Sequence, residues 1–192
     1  GGYFTQPRWS TNLRKGKIQG RLIHVYEPEQ LAQMSDDQIS EAIITDLHED
    51  AYETQKREPI QFRGDNLAFG LESTIFTCPV CGEMGKLHSE KDRFYCDCGF
   101  EATYDVYGYL TDKEGKQYTV TELDRLQREA LKQKTVNWEA DRPLFEDQVT
   151  IYRIGANHEL IGTEVGSFKA YLDRLECGGE YLDYAGMDGM AI

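Results

Sequence analysis

The chain has 192 residues, 40% of them apolar, and its 34 acidic against 21 basic side chains leave it at −13. That length serves one ordinary domain or two to three small ones. No apolar run approaches the roughly 18–20 residues of a membrane-spanning helix, no apolar stretch follows the basic start as a secretion signal requires, and an acidic body repels nucleic acid and anionic lipid over most of its surface.

The charge is unevenly placed. Residues 1–25 contain Arg8, Arg14, Lys15, Lys17 and Arg21 and no acid, a local +5 against −18 for the remainder. Such a start can touch phosphate locally or simply form a solvated edge. Residues 1–21 read as loop plus short strand, and 22–26 form a short apolar run suited to a buried strand. Pro28 is placed to open a short helical turn as its first residue. Ser35 and Gln38 make a capping box, with Met34 and Ile39 as its hydrophobic staple. Ile39, Ala42, Ile43, Leu47 and Ala51 then share one helical face, which predicts a single helix over about 36–57, stopped by Pro59. The acids on its outer face (Asp46, Glu49, Asp50, Glu53) read as a solvated face, not a metal site.

A cysteine-bearing module occupies about 71–109. Beyond it, Thr119 and Glu122 form a second capping box with Tyr118 and Leu123 as its staple, and Leu123, Leu126, Ala130 and Leu131 carry a helix to about Lys134. Residues 136–147 read as a mixed linker containing Pro143. From Gln148 the period becomes two: Val149 and Ile151 alternate with polar neighbours, Gly155-Ala156-Asn157 marks a turn, and 159–164, 167–172 and 181–183 are further strand candidates. The expected class is therefore α+β: an N-terminal segment with a helical connector (1–70), a small β ribbon (71–110), a helix and linker (111–147), and an antiparallel β-domain (148–192) that stops abruptly at Met190-Ala191-Ile192.

Four of the five cysteines are paired, in Cys78-Pro79-Val80-Cys81-Gly82 and Cys96-Asp97-Cys98-Gly99. A secreted disulfide framework spreads its cysteines; paired spacing without an export signal favours metal. Each turn brings two sulfurs to one point, and Gly82 and Gly99 each supply a residue that tolerates positive φ just after a ligand. Four thiolates in a tetrahedral shell suit structural Zn²⁺ and close the site to water and substrate. Residues 86–88 and 93–96 should form a hairpin around a turn at 89–92, with 100–107 as a third strand. A module this small has little core, so the metal should supply much of its folding free energy. The Cys96-x-Cys98 pair is one residue tighter than the commoner spacing, and His88 is a nearby substitute ligand. A redox dithiol would instead want a βαβ context with a helix after the first pair. Within 72–107, three cations (Lys86, Lys91, Arg93) face seven acids, the wrong balance for a nucleic-acid partner. Cys177 stands alone and reads as a structural or incidental thiol.

The four histidines (His24, His48, His88, His158) find no catalytic setting: His48 and Asp50 are two apart on a helical pattern and face different directions. No Ser or Cys sits in a nucleophile turn and no glycine-rich phosphate loop precedes a helix. From these residues alone the catalytic set is empty, and the chain reads as a zinc-stabilised interaction module.

One stretch says more. Gly1-Gly2-Tyr3-Phe4-Thr5-Gln6-Pro7-Arg8-Trp9, followed by Leu13-Arg14-Lys15-Gly16-Lys17, resembles bacterial 1-acyl-glycerol-3-phosphate acyltransferases (lysophospholipid acyltransferases) that carry a C-terminal zinc ribbon. The likeness continues through Asp46-Leu47, Ala51-Tyr52, Gly64-Asp65-Asn66-Leu67-Ala68 with Gly70-Leu71-Glu72, and the ribbon, and fades after about Tyr109.

The resemblance implies a parent enzyme whose His-x-x-x-x-Asp motif activates the glycerol hydroxyl of lysophosphatidic acid for attack on an acyl thioester. Five residues after each histidine stand Glu29, Glu53, Arg93 and Thr163, none of them Asp, and no Glu-Gly-Thr-Arg phosphate motif occurs. The implied identity is thus the C-terminal part of such an enzyme, beginning at the edge of the acyltransferase domain and lacking its active site. Acyl thioester and lysophosphatidic acid would be the parent's partners, and its implied place is cytoplasmic, peripheral to the inner face of the cell membrane. The opening segment would follow the last core strand of that domain, so Arg8, Arg14, Lys15 and Lys17 are expected near substrate or membrane phosphate. The alternative is a non-enzymatic zinc-ribbon adaptor whose β-domain docks an unknown protein.

Overall fold

The structure, a computed structural model, describes residues 2–186; the chain end at Met190-Ala191-Ile192, expected to break off within a domain, lies outside the described residues. Helices and two antiparallel sheets give the α+β class expected. The chain divides into two compact units, Gly1–Ala130 and Leu131–Ile192. Its elements are α1 (Gly2–Thr5), α2 (Pro28–Leu31), α3 (Asp36–Leu47), α4 (Ala51–Arg57), β1 (Leu87–Glu90), β2 (Arg93–Cys96), β3 (Glu101–Tyr104), β4 (Leu110–Asp112), β5 (Gln117–Tyr118), α5 (Val120–Thr135), β6 (Phe145–Ile154), β7 (Leu160–Ala170), β8 (Arg174–Cys177) and β9 (Glu180–Asp183).

In the first unit β1 to β5 form an antiparallel meander in sequence order. The hairpin and third strand expected around the cysteines are β1, β2 and β3, and the sheet runs on past residue 110 through β4 and β5. The pleat puts Leu87, Phe94, Cys96, Ala102, Tyr104, Leu110 and Tyr118 on one face, and all are buried. That face packs with Trp9, Leu67, Leu71 and Ile75, and with Val120 and Leu123 of α5. Cys78 and Cys96 belong to the same cluster. The cysteine module is therefore not a minimal ribbon resting on metal alone, as its size implied, because segments from both sides of it in sequence complete its core.

Glycine at position 70 is required here. Its φ is +81°, and a Cβ would lie 2.3 Å from the Trp9 carbonyl oxygen. The backbone of the opening segment and that of the Gly70 turn thus touch directly.

Both capping boxes form. Ser35 Oγ accepts from the Gln38 N–H while Gln38 accepts from the Ser35 N–H, and Thr119 and Glu122 exchange the equivalent pair at the start of α5. Pro28 opens α2 at its first turn.

Two helical and strand expectations need correction. The single helix over 36–57 is broken at 48–50. His48 is extended, and the Asp50 carboxylate accepts from the N–H groups of Tyr52 and Glu53, so it caps a new helix, α4. The break lets α4 turn Tyr52 against Phe4 and Tyr109, with ring centroids 5.1 and 5.7 Å away, while α3 buries no residue. The apolar run at 22–26 forms no strand and is not buried, because among the described residues no strand lies beside it to pair with its backbone.

In the second unit β6 to β9 form a four-stranded antiparallel sheet in sequence order. The turn at Gly155-Ala156-Asn157 joins β6 to β7 as expected. The candidates at 159–164 and 167–172 fuse into one strand, because Gly166 is a packing glycine and not a turn: a Cβ there would lie 2.8 Å from Ile151 Cδ1. Strand β6 begins at Phe145, inside the expected linker. Strand β8 was not legible, and Gly178 and Gly179, both at positive φ, join it to β9.

Candidate metal centre

Each cysteine pair is held by its own backbone turn. At the first, the Gly82 N–H donates to the Cys78 carbonyl (3.0 Å), the Cys78 N–H to the Glu83 carbonyl (3.0 Å), and the Val80 N–H points at Cys78 Sγ (3.4 Å). At the second, the Gly99 N–H donates to the Cys96 carbonyl (3.0 Å) and the Cys96 N–H to the Phe100 carbonyl (2.9 Å). Gly82 and Gly99 take φ of 70° and 100°, as their positions after a ligand demanded. The shorter second pair is accommodated because Cys96 ends β2 while Cys98 sits in the turn that follows.

These turns face one another. Cys78 Sγ lies 3.7 Å from Cys98 Sγ, Cys81 Sγ lies 3.8 Å from Cys96 Sγ, and the four sulfurs all fall within 4.8 Å of one another. The separations far exceed a disulfide's roughly 2.05 Å, and all four cysteines are free. Four sulfur donors at one point can hold a metal ion. As free thiols they differ: burial pushes Cys78 up to about 12, whereas the Phe100 N–H draws Cys98 down to about 7. Metal binding would require all four sulfurs as thiolates, and backbone N–H groups beside Cys78 and Cys98 would support that charge.

His88 is not in the cluster. It stands on β1 with Nε2 3.2 Å from an Asp97 carboxylate oxygen, so four sulfurs suffice and no substitute ligand is called on.

The structure separates the four cations expected near phosphate. Arg14 is 4% exposed; its guanidinium donates to the Leu67 carbonyl and Tyr104 hydroxyl and lies 4.8 Å from the Tyr104 ring centroid. It is a core residue, which corrects its expected place beside phosphate, since its donors are directed inward. Arg8, Lys15 and Lys17 are exposed, and Lys15 pairs backbone to backbone with Arg63. Lys17 lines a cleft of about 370 Å³ with Arg21, Phe4, Phe62 and the 46–57 segment.

Sequence reading missed Gln127. Buried on α5, it accepts from the Phe76 and Thr77 N–H groups (3.1 and 3.4 Å) and donates to the Thr74 carbonyl (2.9 Å). It therefore fixes the 74–77 segment that leads into Cys78. A lone polar residue among Leu123, Leu126 and Ala130 was the available signal. Among the described residues no helix is long and apolar enough to cross a membrane. No family model, curated protein or solved structure matches the chain.

Proposed function

We propose that the chain is the zinc-bearing C-terminal part of a bacterial 1-acylglycerol-3-phosphate acyltransferase, an enzyme that moves an acyl group from a thioester donor to lysophosphatidic acid at the cytoplasmic face of the membrane. The observation that carries the metal reading is the sulfur geometry. A tetrahedral Zn–S₄ shell with bonds of about 2.3 Å has edges of about 3.8 Å, and two of the sulfur separations are 3.7 and 3.8 Å. Four protein ligands leave no position for water or substrate, so the zinc is a structural staple and takes no part in acyl transfer.

The enzyme reading rests on the resemblance. It is supported by the way residues that carry the likeness meet in one core: Trp9 against Gly70, and Arg14 against Leu67. The residues here supply no His–Asp base, so catalysis belongs to the parent's upstream motif. Arg8, Lys15 and Lys17 supply the peripheral membrane contact, without Arg14.

The test is acyl transfer by two proteins. The full-length gene product should convert lysophosphatidic acid and acyl thioester to phosphatidic acid, and the 192-residue chain alone should not. Turnover by the chain alone, or a reading frame that opens just before Gly1, would overturn the proposal and favour the zinc-ribbon adaptor.

A further inference from the structure

Strand β6 is the long outer edge of the second sheet. It spans 10 residues and, among the described residues, has a neighbour, β7, on one side only; the sheet's other edge, β9, spans 4. The direction of its backbone groups follows from β7. The Gly178 N–H donates to the Ser167 carbonyl, so Ser167 turns toward β8, and its neighbours Gly166 and Phe168 turn toward β6. Their partners Val149 and Asp147 therefore face β7, and Gln148, Thr150 and Tyr152 present their N–H and C=O groups to the open side. The Gln148 N–H is met there by its own neighbour, Asp147 Oδ1, at 2.7 Å. Long edges are ordinarily blunted by proline, lysine or a bulge. Strand β6 has neither proline nor lysine, and its register shift comes only at its end, between Arg153 and Ile154. Its charges are sorted by sign instead, with Glu146 and Asp147 at the start and Arg153 at the end.

We propose that β6 pairs antiparallel with β6 of a second copy of this chain, about a two-fold axis at Thr150, so that two four-stranded sheets become one continuous sheet. Antiparallel pairing brings the acidic start of one strand to the basic end of the other. With Thr150 opposite itself, Asp147 stands opposite Arg153, Val149 opposite Ile151 and Gln148 opposite Tyr152, each pair twice. The outward N–H and C=O groups of Gln148, Thr150 and Tyr152 then exchange hydrogen bonds across the axis. The Val149–Ile151 and Asp147–Arg153 pairs fall at the closer, non-hydrogen-bonded positions, where side chains interact most strongly. Arg153 already holds Glu164 at 2.9 Å and Glu180 at 2.6 Å, and a guanidinium with five N–H donors can serve a third carboxylate. Moving the register one way sets Asp147 against Ile151 and Phe145 against Arg153; moving it the other way sets Asp147 against Gly155 and Val149 against Arg153. The pattern thus selects one register. An unrelated extended peptide would supply the hydrogen bonds but not this reciprocal order of charge. The pairing rests on β6 alone and not on the enzyme reading.

Sedimentation equilibrium of the 192-residue chain tests this. It should show a monomer–dimer equilibrium in the micromolar to submillimolar range, since an edge contact buries little surface. A chain that stays monomeric throughout would overturn the proposal. Thr150→Pro removes the N–H at the axis and leaves the β6–β7 ladder intact, because that N–H faces the open side. The variant should be a folded monomer at every concentration, and a folded variant that still dimerises would move the interface elsewhere and sink the idea. Amide exchange by NMR decides the matter without a substitution. From dilute to concentrated protein, the amides of Thr150 and Tyr152 should slow at least about 10-fold. Exchange of these two amides at one rate across that range would contradict the pairing, whatever becomes of the proline variant.

Discussion

At the scale of single residues, this molecule uses buried polar side chains as latches. Gln127 holds three backbone groups of residues 74–77, and the Tyr52 hydroxyl donates to the Gly108 carbonyl while accepting from the Val120 N–H, both at 3.1 Å. Losing the shape-matched partner of a buried backbone group costs its desolvation. Gln127→Leu should therefore destabilise the first unit by about 2–4 kcal/mol, seen as a lower denaturant midpoint with unchanged slope. An unchanged midpoint would mean that water replaces the amide there. The cysteine ligands were legible because thiolate pairs with trailing glycines leave a local pattern. Arg14 was not, because nothing local distinguishes a buried Arg from a solvated one, and Gln127 was marked only by its place in the apolar stripe of α5, which does not say what its amide would bond. Their partners, Leu67 and Tyr104 or Thr74 to Thr77, lie about 50 or more positions away.

At the scale of elements, local rules worked where the cause was local. Both capping boxes and the β1–β2 hairpin follow from residues within a few positions of one another. The helix break at 48–50 did not follow, since apolar periodicity runs through it. Asp50 can cap a helix or sit solvated inside one, and only packing of Tyr52 against Phe4 decides between them. The apolar run at 22–26 fails for the opposite reason: its composition is that of a buried strand, and among the described residues no strand pairs with it. On the outer face of the sheet, β2 and β3 are tied by Arg93 to Glu101, at 2.8 Å, with Lys113 at 3.4 Å. The hydrogen bond from Arg93, helped by Lys113, holds the Glu101 carboxyl below its ordinary 4.5. A depressed carboxyl stabilises the fold above its unfolded value and loses that contribution as pH falls through its folded value. Glu101→Gln should thus flatten the acid-induced loss of stability below about pH 4.5, followed by tryptophan fluorescence during acid titration. An acid limb identical to that of the parent chain would remove this pair from the account.

At the scale of the whole molecule, two units differ in how complete their cores are. The first buries a continuous cluster from Trp9 to Leu123. In the second, the register of β6 to β9 gathers Phe145, Val149, Ile151, Phe168, Leu175 and Leu182 on one face of a single sheet. Among the described residues of the second unit, Tyr171 is the only large apolar side chain that is buried. The α+β class and the cysteine cluster could be read from the chain; the completeness of each core could not, because it depends on which distant segments meet. The four cysteines began as a local spacing and now form one edge of that first core, with Cys78 and Cys96 buried in it and Cys81 and Cys98 exposed. Metal content of the purified chain tests this most directly. Elemental analysis should find about one zinc per chain, and Cys78→Ser or Cys96→Ser should abolish it and deprotect the amides of both cysteine turns. A fully folded first unit with no bound metal, or with the four cysteines oxidised to disulfides, would contradict it.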